Sequence, residues 1–202
     1  MRILHITTDS PGNISGGKIG VRQTLYSLSE CGYEIDYAGP EIDEDDLKQL
    51  YSKLFELRPE KNIIIRIVDS LRGYTNQRYR AWKRLIRSAE FDINSYDAVL
   101  LDFTKLDYVA EDIPTGKLIV RVHNVEADYF KNDFRHEKNF KSFVLMKTAE
   151  KRERAVIKRA SRLLILTVED KNRLKELYKI EDNICRILPV CVRSQYSLSE
   201  LV

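Results

Sequence analysis

The sequence predicts an α/β fold in a single domain: a Rossmann-like parallel sheet with helices on both faces. Three observations carry this. The chain opens with an apolar run, a glycine-bearing loop, an amphipathic stretch and a second apolar run, all within about 40 residues, which is the signature of a βαβ unit. About six short apolar runs then alternate with helical patterns along the rest of the chain. At 202 residues the length suits one domain with a core that needs no staples.

The elements follow in order. Residues 2–8 (RILHITT) read as a buried strand, and Asp9-Ser10-Pro11-Gly12 as a turn. Residues 12–17 (GNISGG) form a loop. A helix fits 18–31, with Val21, Leu25 and Leu28 on one stripe and Gly32 placed to end it at positive φ. Residues 33–38 are a second strand. The acidic run 41–46 (EIDEDD) suits a helix N-terminus and predicts a helix through about Leu57. Residues 63–68 fit a strand or, with 69–72, a helix; the pattern does not choose. Residues 74–89 read as a helix, 97–102 (DAVLLD) and 117–122 (KLIVRV) as strands, and 142–161 as a long charged helix. A strand at 163–167, a helix at 168–178 and a strand at 184–190 complete the domain, placed at 1–193. Residues 194–202 carry no element signal and are expected to be a tail or the start of a crossing to a second domain.

Composition excludes some function classes. With 34 basic and 31 acidic residues the net charge is only +3, too balanced for bulk nucleic-acid binding. The three cysteines, Cys31, Cys185 and Cys191, form no CxxC pair and no disulfide framework, which suits a reducing compartment. No apolar leader or spanning segment stands out, so a cytoplasmic chain is expected, with peripheral contact at the inner membrane face left open.

Two loops carry the chemistry. In a doubly wound sheet ligands bind beyond the carboxyl ends of the strands. Gly16 and Gly17 lie there, just ahead of a helix N-terminus, where backbone N–H groups attract a phosphate. The loop alone fits a diphosphate and an empty turn equally well. It lacks the G-x-G-x-x-G dinucleotide fingerprint. Gly12-x4-Gly17-Lys18 begins like a Walker loop, but Ile19 stands where a magnesium-binding hydroxyl belongs. The second loop is His123-Asn124-Val125-Glu126, after KLIVRV, at the same sheet edge.

RILHITTDSP with its Gly pair, then RVHNVEADYF, KRASRLLILTVED and ICRILPVCV, resembles in order and spacing the N-terminal domain of retaining GT-B glycosyltransferases of the "glycosyl transferase group 1" family. The resemblance covers nearly the whole chain, and HNVE followed by Tyr129-Phe130 is its most telling piece. It implies a domain that holds the acceptor, facing a C-terminal domain that holds the nucleotide sugar. It further implies donor-diphosphate contact at Gly16 and Gly17, a catalytic His123 at the donor sugar, and acceptor contacts from Arg121, Asn124 and Glu126. No metal and no cofactor are expected, because helix dipoles and basic side chains stabilise the leaving diphosphate. Two places depart from the family: Thr167-Val168-Glu169 stands where Ser is common, and Pro189-Val190-Cys191-Val192-Arg193 replaces P-N-G-V-D. The second domain is missing from the sequence, so the partner implied is that domain, in cis or in trans, with a glycan or lipid-linked acceptor in cell-surface polysaccharide synthesis. A non-catalytic assembly module is the alternative.

Basic helices raise a last expectation. Between 78 and 87, Arg80, Lys83, Arg84 and Arg87 fall on one helical face, and Tyr79, Trp82, Leu85 and Ile86 on the other. With Trp82 beside it, that face suits an anionic membrane or a lipid-linked acceptor; a helix simply packed on the sheet satisfies the same pattern. The stretch 147–162 holds seven basic and two acidic residues and reads as a solvated face. The five aromatics of 129–143 either line a groove or shelter apolar contacts.

Overall fold

The computed structural model describes residues 1–12, 15–71 and 76–189. Every strand pairing is parallel, and the seven strands lie in the order β3-β2-β1-β4-β5-β6-β7. They span β1 Arg2–Thr7, β2 Glu34–Gly39, β3 Lys53–Glu56, β4 Ala98–Asp102, β5 Leu118–Val122, β6 Arg162–Ile165 and β7 Cys185–Ile187. The order reverses between β1 and β4, so the crevice expected of such a sheet opens there.

The pleat sorts the strand residues into two faces. Leu4, Ile6, Val99, Leu101, Val120, Val122, Leu163 and Ile165 face one side. There they meet α4 (Tyr79–Ile86), α5 (Asp107–Ala110), α7 (Phe140–Arg159) and α8 (Val168–Tyr178) through Trp82, Val109, Ile157 and Leu174. The other side carries a smaller cluster under α1 (Gly16–Glu30) and α2 (Asp45–Lys48), built from Leu25, Ile35, Tyr37, Ile42, Leu47 and Tyr51. Helices therefore flank both faces.

Several expectations are met closely. Helix α1 ends at Gly32, whose φ of 72° is the left-handed cap anticipated. The helix expected over 168–178 is α8, Val168–Tyr178, and Thr167 caps it by accepting from the Asp170 N–H at 3.0 Å. The ambiguous segment is a helix, α3 (Ile63–Leu71).

Others are corrected. The helix expected from the acidic run through Leu57 is only the four residues of α2, and the chain then enters edge strand β3. Lys53 and Glu56 are exposed there, the charged blunting usual at a sheet edge, so no apolar run marks the strand. The helix read over 74–89 is α4, Tyr79–Ile86. The aromatic tract breaks into two helices, α6 (Glu126–Glu137) and α7, at Lys138 in the left-handed region with φ 46°. Asn139 then opens α7 through a reciprocal cap with Ser142. The boundary expected at 193 and the tail 194–202 lie outside the described residues, as does Cys191.

Candidate functional site

The carboxyl ends of β1, β4 and β5 bring together three side chains that are far apart in sequence. Asp102, the last residue of β4, is wholly buried. Its Oδ2 lies 2.6 Å from Nε2 of His5 in β1, and its Oδ1 lies 2.9 Å from Nε2 of His123 just past β5. Register produces this: Thr7 pairs with Asp102 and Asp102 with Arg121, so His5 sits one pleat below the carboxylate and His123 one above it, on the α1 side of the sheet.

Burial alone would lift the carboxyl of Asp102. The hydrogen bonds from His123 and His5 outweigh it and hold Asp102 well below the usual carboxylate range. An ionised carboxylate only accepts, so both imidazoles carry their proton on Nε2. Nδ1 of His5 then accepts from the Tyr51 hydroxyl at 3.3 Å. Nδ1 of His123 is the ring nitrogen left as a base. An imidazole oriented by a buried carboxylate is the arrangement that general-base chemistry uses.

His123 is held on both sides. Its ring stacks on Phe103, centroids 4.1 Å apart, and a Cβ at Gly20 would stand 2.8 Å from its Cε1. Only glycine lets α1 approach this closely. Phe103 itself has φ 84°, a strained conformation for a bulky residue that costs about 1–3 kcal/mol. Arg121, expected at the acceptor, is buried and donates to the Gly20 carbonyl at 2.8 Å. In this structure it ties β5 to α1. Asn124 is exposed at the sheet edge.

The glycine pair opens α1, where Ser15 is the cap. Gly16 is open, with nothing within 4 Å of an added Cβ. At Gly17 a Cβ would stand 2.9 Å from the Asp9 carboxylate and 3.3 Å from the Phe103 ring. An acidic side chain of the chain itself thus lies against this first turn. Residues 13 and 14 of the loop lie outside the described set.

On the other face of the sheet, a cavity of about 130 Å³ lies between α6, α7 and the loop after β4. Glu126, Phe130, Thr104, Lys105 and Thr148 line it, with Glu153 at its base. Glu153 is fully buried and saturated. It accepts from the N–H groups of Glu126 and Ala127, from Thr104 Oγ1, and from the Tyr178 hydroxyl at 2.6 Å. It serves as the missing cap of α6, whose own cap residue Val125 offers no side-chain bond. Glu126 is 4% exposed, and its carboxyl makes no hydrogen bond or ion pair among the described residues. Burial pushes that carboxyl up to about 7; Lys105 opposes the rise, and Glu153 and Asp9 add to it. Sequence reasoning found His123 and Glu126 but not His5, Asp102 or Glu153.

Two of the four basic residues expected on one face of α4 are engaged in internal bonds. Trp82 is fully buried, its indole N–H donating to Asp112 at 2.7 Å, so it belongs to the core and not to a membrane face. Lys83 pairs with the same carboxylate, and Arg80 holds Asp69 in a bidentate pair. Arg84 and Arg87 are exposed. Among the described residues no helix is long and apolar enough to cross a membrane, and no group of three or more His, Cys, Asp or Glu is set to hold a metal ion.

No protein-family model and no curated protein matches the sequence. Solved structures do match. One, described as LpCGTa in complex with UDP, is 12% identical with a TM-score of 0.50, over 96% of this chain and 55% of that one. The glycotransferase of kitacinnamycin is 12% identical with a TM-score of 0.49, over 96% and 52%. A UDP-glucosyltransferase from Polygonum tinctorium is also 12% identical, with a TM-score of 0.47, over 96% and 53%. The chain spans about half the length of the solved structures it matches. At this identity the likeness is one of fold: a single domain with a seven-stranded parallel sheet between helices, similar to one half of a GT-B glycosyltransferase.

Proposed function

We propose that this chain is the acceptor-side half of a retaining GT-B glycosyltransferase of the group 1 type, moving a sugar from a nucleotide sugar to a hydroxyl of a glycan or lipid-linked acceptor. The observation that carries the proposal is the Asp102-held imidazole pair at the switch point of a sheet with this topology. In the transfer the bond from the anomeric carbon to the diphosphate breaks, and the acceptor oxygen bonds to that carbon on the face the diphosphate leaves, so the configuration is kept. The acceptor proton passes to Nδ1 of His123, and the diphosphate departs with the bonding pair. His123 serves the reacting centre through Nδ1, with Asp102 stabilising the imidazolium that results. The α1 N-terminus at Gly16 and Gly17 faces the departing diphosphate. Gly16 is the more accessible of the two, since Asp9 crowds Gly17. Lys18 and Lys105 supply positive charge near that edge without a metal or cofactor. The body of the acceptor takes the cavity at Glu126, and its reacting hydroxyl extends over the carboxyl edge of the sheet to His123, past the exposed Asn124, while Arg121 fixes the β5 end that carries His123. The second half, in cis or in trans, holds most of the donor, and the setting is cell-surface polysaccharide synthesis on the cytoplasmic side.

Calorimetric titration of a panel of nucleotide sugars against this chain, alone and joined to its second half, tests the proposal. Binding should be at least about tenfold tighter in the joined form, and His123→Ala should lower transfer by about 10²–10⁴-fold without loss of fold. Equal affinity for the isolated half, or transfer unaffected by the substitution, would overturn it.

A further inference from the structure

Helix α3 presents an apolar stripe to solvent. Ile63 is 67% exposed, Ile64 69%, Ile67 55% and Val68 37%. The residues stand at i, i+1, i+4 and i+5, so they form one contiguous strip on one side of a short helix. The opposite side is fixed inward: Asp69 is buried and gripped by both guanidinium nitrogens of Arg80, at 2.7 and 2.9 Å. This bidentate pair ties α3 to α4 and sets which way the stripe faces. Isolated exposed aliphatics are ordinary, but four adjoining ones on one helix mark a contact surface.

The charge around the stripe says what contacts it. Residues 58–88 hold nine basic and two acidic side chains, a net +7, whereas the whole chain carries only +3. The remainder is therefore acidic, and the excess of positive charge falls in the segment that contains the stripe. Lys61 and Arg66 are exposed on or beside α3, the side chain of Arg58 is 85% exposed, and Arg84 and Arg87 are exposed on α4. Of these five, among the described residues only Arg58 has an acidic neighbour within ion-pair range, Glu56 at 3.7 Å. Protein-binding patches concentrate aromatic residues and exclude lysine from their centres. Aliphatic side chains flanked by Lys61 and Arg66 match instead a helix that lies in the headgroup layer of an anionic bilayer.

We infer that α3 docks this chain on an anionic lipid surface, with Ile63, Ile64, Ile67 and Val68 entering the headgroup layer and Lys61 and Arg66 engaging the lipid charges. Binding at this surface does not depend on the transfer reaction.

Vesicle flotation of the purified chain is the test, with phosphatidylcholine vesicles set against vesicles that also carry phosphatidylglycerol, at low and high salt. The chain should float with the anionic vesicles and lose that binding as salt rises. Ile64→Ser with Ile67→Ser should reduce partitioning by about tenfold or more. Lys61→Gln with Arg66→Gln should reduce it by about fivefold per charge removed. Trp82, the single tryptophan and fully buried, reports the fold in each variant through an unchanged blue-shifted emission. Three results would each overturn the inference: no flotation with anionic vesicles, flotation indifferent to the isoleucine changes, or a concentration-dependent dimer abolished by those changes with no vesicle binding. The last would assign the stripe to a second copy of this chain.

Discussion

Glu126 is a buried carboxyl without a partner among the described residues, and its titration near neutrality has a measurable sign. Its pKa rises on folding from 4.5 to about 7, so the folded chain keeps a proton that the unfolded chain releases. Stability therefore falls as pH climbs through that window and stays lower above it. Glu126→Gln removes the penalty. We expect it to stabilise the fold by about 1–3 kcal/mol at about pH 8 and to have little effect at about pH 4, as read by urea denaturation at both values. At this scale the sequence exposed half of the site. His123 and Glu126 stood out because HNVE follows an apolar strand. His5 and Asp102 did not, because each ends or interrupts an apolar run as a single polar residue, and only the register of three parallel strands makes them neighbours. A charged residue inside or closing an otherwise apolar strand was the signal available.

At the scale of elements, α6 depends on a residue of α7. Its first two N–H groups donate to Glu153, which has no other cap to share the task. Glu153→Ala should unfold the first turn of α6 and leave the Tyr178 hydroxyl and Thr104 without their acceptor. We expect a loss of about 2–4 kcal/mol, with faster amide exchange at Glu126 and Ala127. Helices with a clear apolar stripe or a good cap were legible, as α1 and α8 show. Edge strand β3 was not, since its exposed lysine and glutamate break the apolar pattern and the acidic run before it imitates a long helix. Helix α6 was hidden for a different reason: its cap comes from about 27 residues downstream, beyond any local pattern.

For the whole molecule, the order of βα units was enough to give the parallel sheet and its two covered faces, and the strand count fell one short because of β3. Three central strands converge on one carboxylate. Asp102→Asn leaves two buried imidazoles without their anion, so it should lower global stability by about 3 kcal/mol or more in a single cooperative urea transition. In the native chain the depressed pKa of Asp102 contributes stability above its unfolded value of about 3.9 that is lost as pH falls toward the folded one. The hydrogen-bonded line does not stop at the carboxylate. It runs from His123 at the crevice, through Asp102 and His5, to the hydroxyl of Tyr51, whose ring packs 4.9 Å from Tyr37 in the cluster beneath α2. The mouth of the site and the packing of the smaller core are thus joined by one continuous line of hydrogen bonds.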